Sequence, residues 1–223
     1  MHILLNISPN FYRFSPLIMR RLSALQPETR ISALAHGGKT ICDGFKERLA
    51  GLNVEDVHNC SDLEESWLKK PYQSGALRKY EKILGANAVN RIVLADRLVG
   101  YGYIRGGKVA QTPLSHHCAT DEMRHRYLSG LLDFLFNWFK KNPPDVILTY
   151  GVAGTFTLAV SLLAEHFNIE FRRINSIRLM DRNILDPSYL NLGGPLKQLY
   201  EQALQDESLV VETRQEARTL LQK

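Results

Sequence analysis

The chain has only three cysteines, Cys42, Cys60 and Cys118, in 223 residues. Their number is odd and no C-x-x-C pair occurs, so neither a disulfide framework nor a zinc knuckle is indicated, and a reducing compartment is the simpler setting. No apolar run reaches the roughly 18 to 20 residues of a bilayer-spanning helix. The most apolar stretch, Tyr127 to Phe139, is broken by Ser129, Asp133 and Asn137. The opening MHILLNISP lacks a basic leader and a small-residue cleavage site, so a first β-strand is expected there instead of a signal peptide. P-loop, G-x-S-x-G and H-E-x-x-H patterns are missing, as are internal repeats and low-complexity segments. These absences remove P-loop phosphate binding, Ser-His-Asp hydrolysis and solenoid architecture, and no metal site is expected.

What is present is an ordinary globular composition, 44% hydrophobic and 23% charged, which argues against disordered and fibrous chains. The length favours one core with appendages. A net charge of +5 suits an anionic partner such as a phosphate, a nucleotide, nucleic acid or an acidic membrane surface, without choosing among them. Of the 28 basic residues 17 are arginines, and they are dispersed instead of gathered in a tail. Solvated faces and scattered ion pairs are therefore the first reading, and DNA or RNA binding is not expected.

The first third alternates. His2 to Ile7 reads as a buried strand, Phe14 to Leu25 as a helix stopped by Pro27, Arg30 to Ala35 as a second strand, Thr40 to Leu49 as a helix and Asn53 to Val57 as a third strand. This is half of an open parallel sheet. Residues 61–120 change character. Short helical patterns at Leu63 to Leu68, Leu77 to Leu84 and Val89 to Leu94, with a glycine-rich piece from Gly100 to Gly107, read as a helical insertion or lid. Asp121 to Lys141 is a long amphipathic helix ended by Asn142-Pro143-Pro144. The strand from Asp145 to Tyr150 then runs through GVAG at Gly151 into an apolar helix, Thr155 to Phe167, and Glu170 to Ile174 completes a second βαβ unit. The expected fold is α/β: a Rossmann-like, open, mainly parallel sheet with helices on both faces over residues 1–192. A C-terminal helical extension, 193–223, is read as Pro195 to Leu204 and Ser208 to Gln222.

In such a sheet ligands bind beyond the carboxyl ends of the strands. The residues placed there are Ser8 to Asn10, His36 to Gly38, Tyr150 to Thr155 and Asn175 to Arg178. Gly151, Gly154 and Thr155 are small enough to admit a ligand to the free N–H groups at a helix start; the same turn serves equally as a tight connection with no ligand. His36 ends a strand and precedes Gly37-Gly38. His116 and His117 are adjacent, so in an extended segment they point opposite ways; one of them could act as a general base at neutral pH, and a structural role is the competing reading. Arg172 and Arg173 must face opposite sides of their strand. Arg178 and Arg182 could clamp a phosphate, and the pairs Asp96-Arg97 and Asp181-Arg182 read either as ion pairs or as polar site elements.

Taken in order, YEKILG from Tyr80, IVLADR from Ile92, the aromatic helix, PDVILTYGVAG from Pro144 and NSIRLMDR from Asn175 resemble a known family. The resemblance is to the N-terminal half of bacterial capsule and surface polysaccharide biosynthesis proteins, which are similar to GT-B glycosyltransferases, and it covers roughly residues 75–190. It implies an acceptor-side domain that faces a second, donor-binding domain or subunit across a cleft. His116 or His117 would then deprotonate a glycan or lipid-linked glycan acceptor, and His36, Gly151, Gly154, Thr155, Asn175, Asp96 and Arg97 would line the substrate site. Arg178 and Arg182 would meet negative charge. The resemblance further implies no bound metal or cofactor, a nucleotide sugar as substrate, and a cytoplasmic setting with peripheral association at the inner face of the membrane. Because the recognisable strands stop at Ile174, transfer is expected only with a donor-binding partner. The alternatives are a non-catalytic scaffold subunit of a polysaccharide assembly system and, on charge alone, a nucleic-acid-binding α/β protein.

Overall fold

The computed structural model describes residues 1–8, 11–36, 39–95, 120–150, 154–176, 183–187 and 194–205, with Val211 and Gln215. Among the described residues six strands form one sheet: β1 (His2–Ile7), β2 (Arg30–Ala35), β3 (Val54–Asn59), β4 (Val146–Tyr150), β5 (Glu170–Ser176) and β6 (Asn183–Asp186). Their order is β3-β2-β1-β4-β5-β6. The first five are parallel to their neighbours, and β6 runs antiparallel to β5. The Rossmann-like expectation is met, with a mainly parallel sheet and helices on both faces.

Side chains alternate across a strand, so the inner strands feed two cores. Ile3, Leu5 and Ile7 of β1 pack with Ile31 and Ala33 against Met19 of α1 (Ser15–Leu25) and Phe45 of α2 (Lys39–Arg48). Leu4, Leu34, Ile147 and Phe171 face the other way, into a larger core. That core is built by α3 (Cys60–Leu68), α4 (Arg78–Leu84), α5 (Ala88–Leu94), α6 (Asp121–Lys141) and α7 (Thr155–His166). The three short helices expected between residues 61 and 95 are thus packed into the domain: Trp67, Tyr80 and Ile92 share the core with Leu4. The glycine-rich piece that follows lies outside the described residues.

The long helix forms where its ends agree with its dipole. The Thr120 hydroxyl accepts from the Met123 N–H at 3.2 Å, acidic Asp121 and Glu122 occupy the first turn, and Lys140 and Lys141 the last. It meets α3 at Gly130, where a side chain would have no room: a Cβ would stand 2.3 Å from Trp67. Helix α7 is buried nearly all round because it sits between the sheet and the other helices.

Two strands end two residues later than expected, β5 at Ser176 and the third strand at Asn59. The third strand runs Val54–Asn59, two residues further than the apolar pattern suggested, because it is an edge strand whose Glu55 and Asp56 face solvent while an irregularity at Ile31/Ser32 shifts its register. Strand β6 was not expected at all. Helix α8 (Gly194–Gln205) matches the first helix of the extension; most of the second lies outside the described residues.

Candidate functional site

The chain leaves β1 toward β2 and β3, then returns to the other side of β1 as β4. Connections therefore diverge between the carboxyl ends of β1 and β4, the topological switch point where open α/β sheets bind ligands. Below that edge lies a row of buried polar side chains. Asn6 on β1 pairs in register with Thr149 on β4, Thr149 with Arg173 on β5, and Arg173 with Asp186 on β6. All four are at most 1% exposed. Leu4 and Phe171, two residues before Asn6 and Arg173, both face the α6/α7 layer, so by alternation the row lies on that side of the sheet.

The row is held by hydrogen bonds. The Asn6 amide donates to Thr149 Oγ1 at 3.2 Å and to Thr157 Oγ1 of α7 at 3.1 Å. The Thr149 hydroxyl donates in turn to the Asn6 carbonyl at 3.4 Å, which leaves its oxygen free to accept the amide. At the far end the Arg173 guanidinium donates to Asp186 Oδ2 at 2.8 Å. An ion pair so deeply buried is tolerable only with close partners on both sides.

His36 closes the near end of the row. Its backbone N–H donates to the Ile7 carbonyl at 3.0 Å, which fixes the residue just beyond β2. Its imidazole stacks on Phe156 of α7, with ring centroids 4.3 Å apart and planes 28° from parallel. Nε2 lies 2.8 Å from Asn6 Oδ1. That oxygen carries no proton, so Nε2 must donate, and the neutral ring keeps its lone pair on Nδ1. Desolvation lowers the pKa of His36 to about 4, so the imidazole is neutral at physiological pH. A neutral ring with one nitrogen committed to Asn6 offers an incoming hydroxyl one acceptor atom.

Beside His36, Gly154 precedes α7 at φ +134°, a backbone conformation that favours glycine. The helix start has no side-chain cap and no acidic residue in its first turn. Thr155, expected to line the cleft, is fully buried, and its hydroxyl donates to the Ile92 carbonyl at 3.1 Å, tying α7 to α5. Only its backbone remains for a ligand. Asn175 is half-buried on β5, in register with Ile184 and one residue past the Ile174 that pairs with Tyr150. Arg172 is turned outward to Glu170 at 2.7 Å while Arg173 is turned inward, the opposite facing that strand geometry requires. Gly151, Asp96, Arg97, His116, His117, Arg178, Arg182 and Asp181 lie outside the described residues.

The structure thus brings His36, Gly154 and the start of α7 together at the switch point. Sequence reasoning missed Asn6, Thr149 and Thr157, the residues that orient His36. A signal was available: Asn6 and Thr149 are polar interruptions in otherwise apolar buried strands, and a buried polar side chain requires a partner. A hollow of about 570 Å³ lies elsewhere, lined by Tyr72 to Ala76, Lys79 and Asp133. Among the described residues no group of three or more His, Cys, Asp or Glu side chains could hold a metal ion, and no helix is long and apolar enough to cross a membrane. Comparison with protein-family models and with curated proteins gives no match to the chain.

Proposed function

We propose that the chain is the acceptor-side, Rossmann-like half of a GT-B-type glycosyltransferase of surface polysaccharide synthesis, and that His36 receives an acceptor hydroxyl at the β1/β4 edge. The observation that carries this reading is the neutral, Nε2–H imidazole held by Asn6 and Phe156 at the switch point. A pKa near 4 makes it a poor proton acceptor in the transition state, since general-base efficiency is best near the working pH. Its role is therefore to bind and orient a hydroxyl, and deprotonation falls to His116 or His117. The uncapped start of α7 beside it suits negative charge on the donor. A donor-binding domain or subunit would complete the cleft, and glycan or lipid-linked glycan would be the acceptor.

The test is ligand-observed NMR with a panel of nucleotide sugars and lipid-linked glycans, on the wild type and on His36→Ala. Saturable binding of a glycan acceptor that weakens at least about tenfold in the variant supports the reading, that being the worth of one hydrogen bond to a buried partner. Binding that is equal in both proteins refutes it.

A further inference from the structure

Helix α1, which packs on the sheet's second face, leaves large apolar side chains in water. It buries Ser15, Pro16 and Met19, yet Leu17 is 69% exposed and Leu25 65% exposed. At 3.6 residues per turn, Leu17 and Ala24 fall at the centre of the exposed arc, with Arg20 and Arg21 on either side and Leu25 at one margin. The helix contains no acidic residue.

Neighbouring groups extend the positive charge. Arg13 lies in the turn that precedes α1, and Lys46 and Arg48 end α2. Arg20 donates to the Arg48 carbonyl at 2.8 Å, and Arg48 lies 4.6 Å over the Tyr12 ring. These contacts fix the two guanidinium groups without neutralising them. Arg13, Arg20, Arg21, Lys46 and Arg48 are all exposed, and none is ion-paired among the described residues. The acidic residues on these same elements and the turn after α1 are Glu28, Asp43 and Glu47.

We infer that this face docks on an anionic phospholipid surface. Unpaired arginines complement lipid phosphates, and their aliphatic stems can lie along the interface while the charged heads stay hydrated. The exposed leucines decide between anionic partners: inserted at the acyl boundary they leave water, whereas against a nucleic-acid backbone they gain nothing. The patch runs from Arg13, in the connection that leaves β1 at its carboxyl end, to Leu25, at the end of α1 before the turn into β2, so docking would lay the outer side of α1 along the lipid headgroups. The inference stands on α1 and α2 and does not depend on what His36 binds.

The test is flotation of the full chain with vesicles of phosphatidylcholine alone and of phosphatidylcholine mixed with phosphatidylglycerol. Two double variants, Arg13→Glu/Arg21→Glu and Leu17→Ser/Leu25→Ser, are run beside it, with thermal melts confirming that these exposed substitutions leave the fold intact. The wild type is expected to float only with the mixed vesicles and to be released by high salt. At about fivefold per basic residue, charge reversal should lower partitioning at least about 25-fold. The leucine pair should lower it about tenfold or more, by lost apolar burial. No binding of the wild type to mixed vesicles overturns the inference, as does wild-type partitioning by either variant. Tight binding to duplex DNA that is indifferent to the leucine substitutions would reassign the face to nucleic acid.

Discussion

Acidification should destabilise this protein through His36 by an amount that one substitution removes. The folded ring has its pKa lowered from 6.5 to about 4 by burial, so below pH 6.5 the unfolded chain binds a proton that the native ring refuses. Stability then rises with pH across that window and falls as the pH drops from 6.5 toward 4. Two and a half pKa units correspond to about 3 kcal/mol in full, of which about 2 kcal/mol is lost between pH 7 and pH 5. His2 acts in the same direction, its pKa lowered first by burial and then by Arg30, against Glu55 and Asp145. His36→Gln keeps an N–H for Asn6 but cannot titrate. Urea denaturation of both proteins at pH 7 and pH 5 isolates the ring, because carboxylates and His2 contribute equally to each. The wild type should lose about 2 kcal/mol more than the variant over this interval. Equal losses would mean that the His36 imidazole is hydrated and titrates freely, and the argument for a fixed Nε2–H tautomer would fail with it.

Gly130→Ala should cost about 1–3 kcal/mol in thermal or urea denaturation, since its methyl group would overlap Trp67 and force α3 from α6; an unchanged melting temperature would show that the contact is loose. Arg173→Met should cost about 3–5 kcal/mol by stranding the Asp186 carboxylate, and adding Asp186→Leu should restore much of that loss. Failure of the double variant to recover would mean that the two residues hold the β5–β6 edge through other partners. Asn6→Ala should destabilise by about 2–4 kcal/mol, because His36 and Thr157 lose their partner in a buried setting; a cost below about 0.5 kcal/mol, as for an ordinary surface change, would deny the row its structural role.

The inner strands were legible because a strand buried on both faces is a mainly apolar run: His2 to Ile7 and the VILTY strand ending at Tyr150, each with only a polar residue or two, needed no knowledge of their neighbours. The amphipathic helices were legible for the same reason at a different period. Strand β6 was not: it has four residues, NILD, half of it exposed, and it exists because β5 offers it an edge. The site divides in the same way. His36 could be placed from the strand before it and the glycines after it, and the opposite facing of Arg172 and Arg173 followed from the strand alone. The partners of His36 could not be placed, since Asn6 reaches Thr149 and Thr157 across 143 and 151 residues of chain. Gly154 looked like room for a ligand, but the structure adds a second reason for glycine, its φ of +134°.

The most direct test of the account is the ring of His36 itself, observed by long-range proton–nitrogen correlation while lipid-linked glycans and nucleotide sugars are titrated into the isotopically labelled chain. The account predicts a ring protonated at Nε2 and bare at Nδ1, with Nδ1 and the amides of Gly154, Phe156 and Thr157 shifting together as the acceptor saturates. A ring protonated at Nδ1, or shifts gathered instead around Tyr72 to Ala76, Lys79 and Asp133, would contradict it.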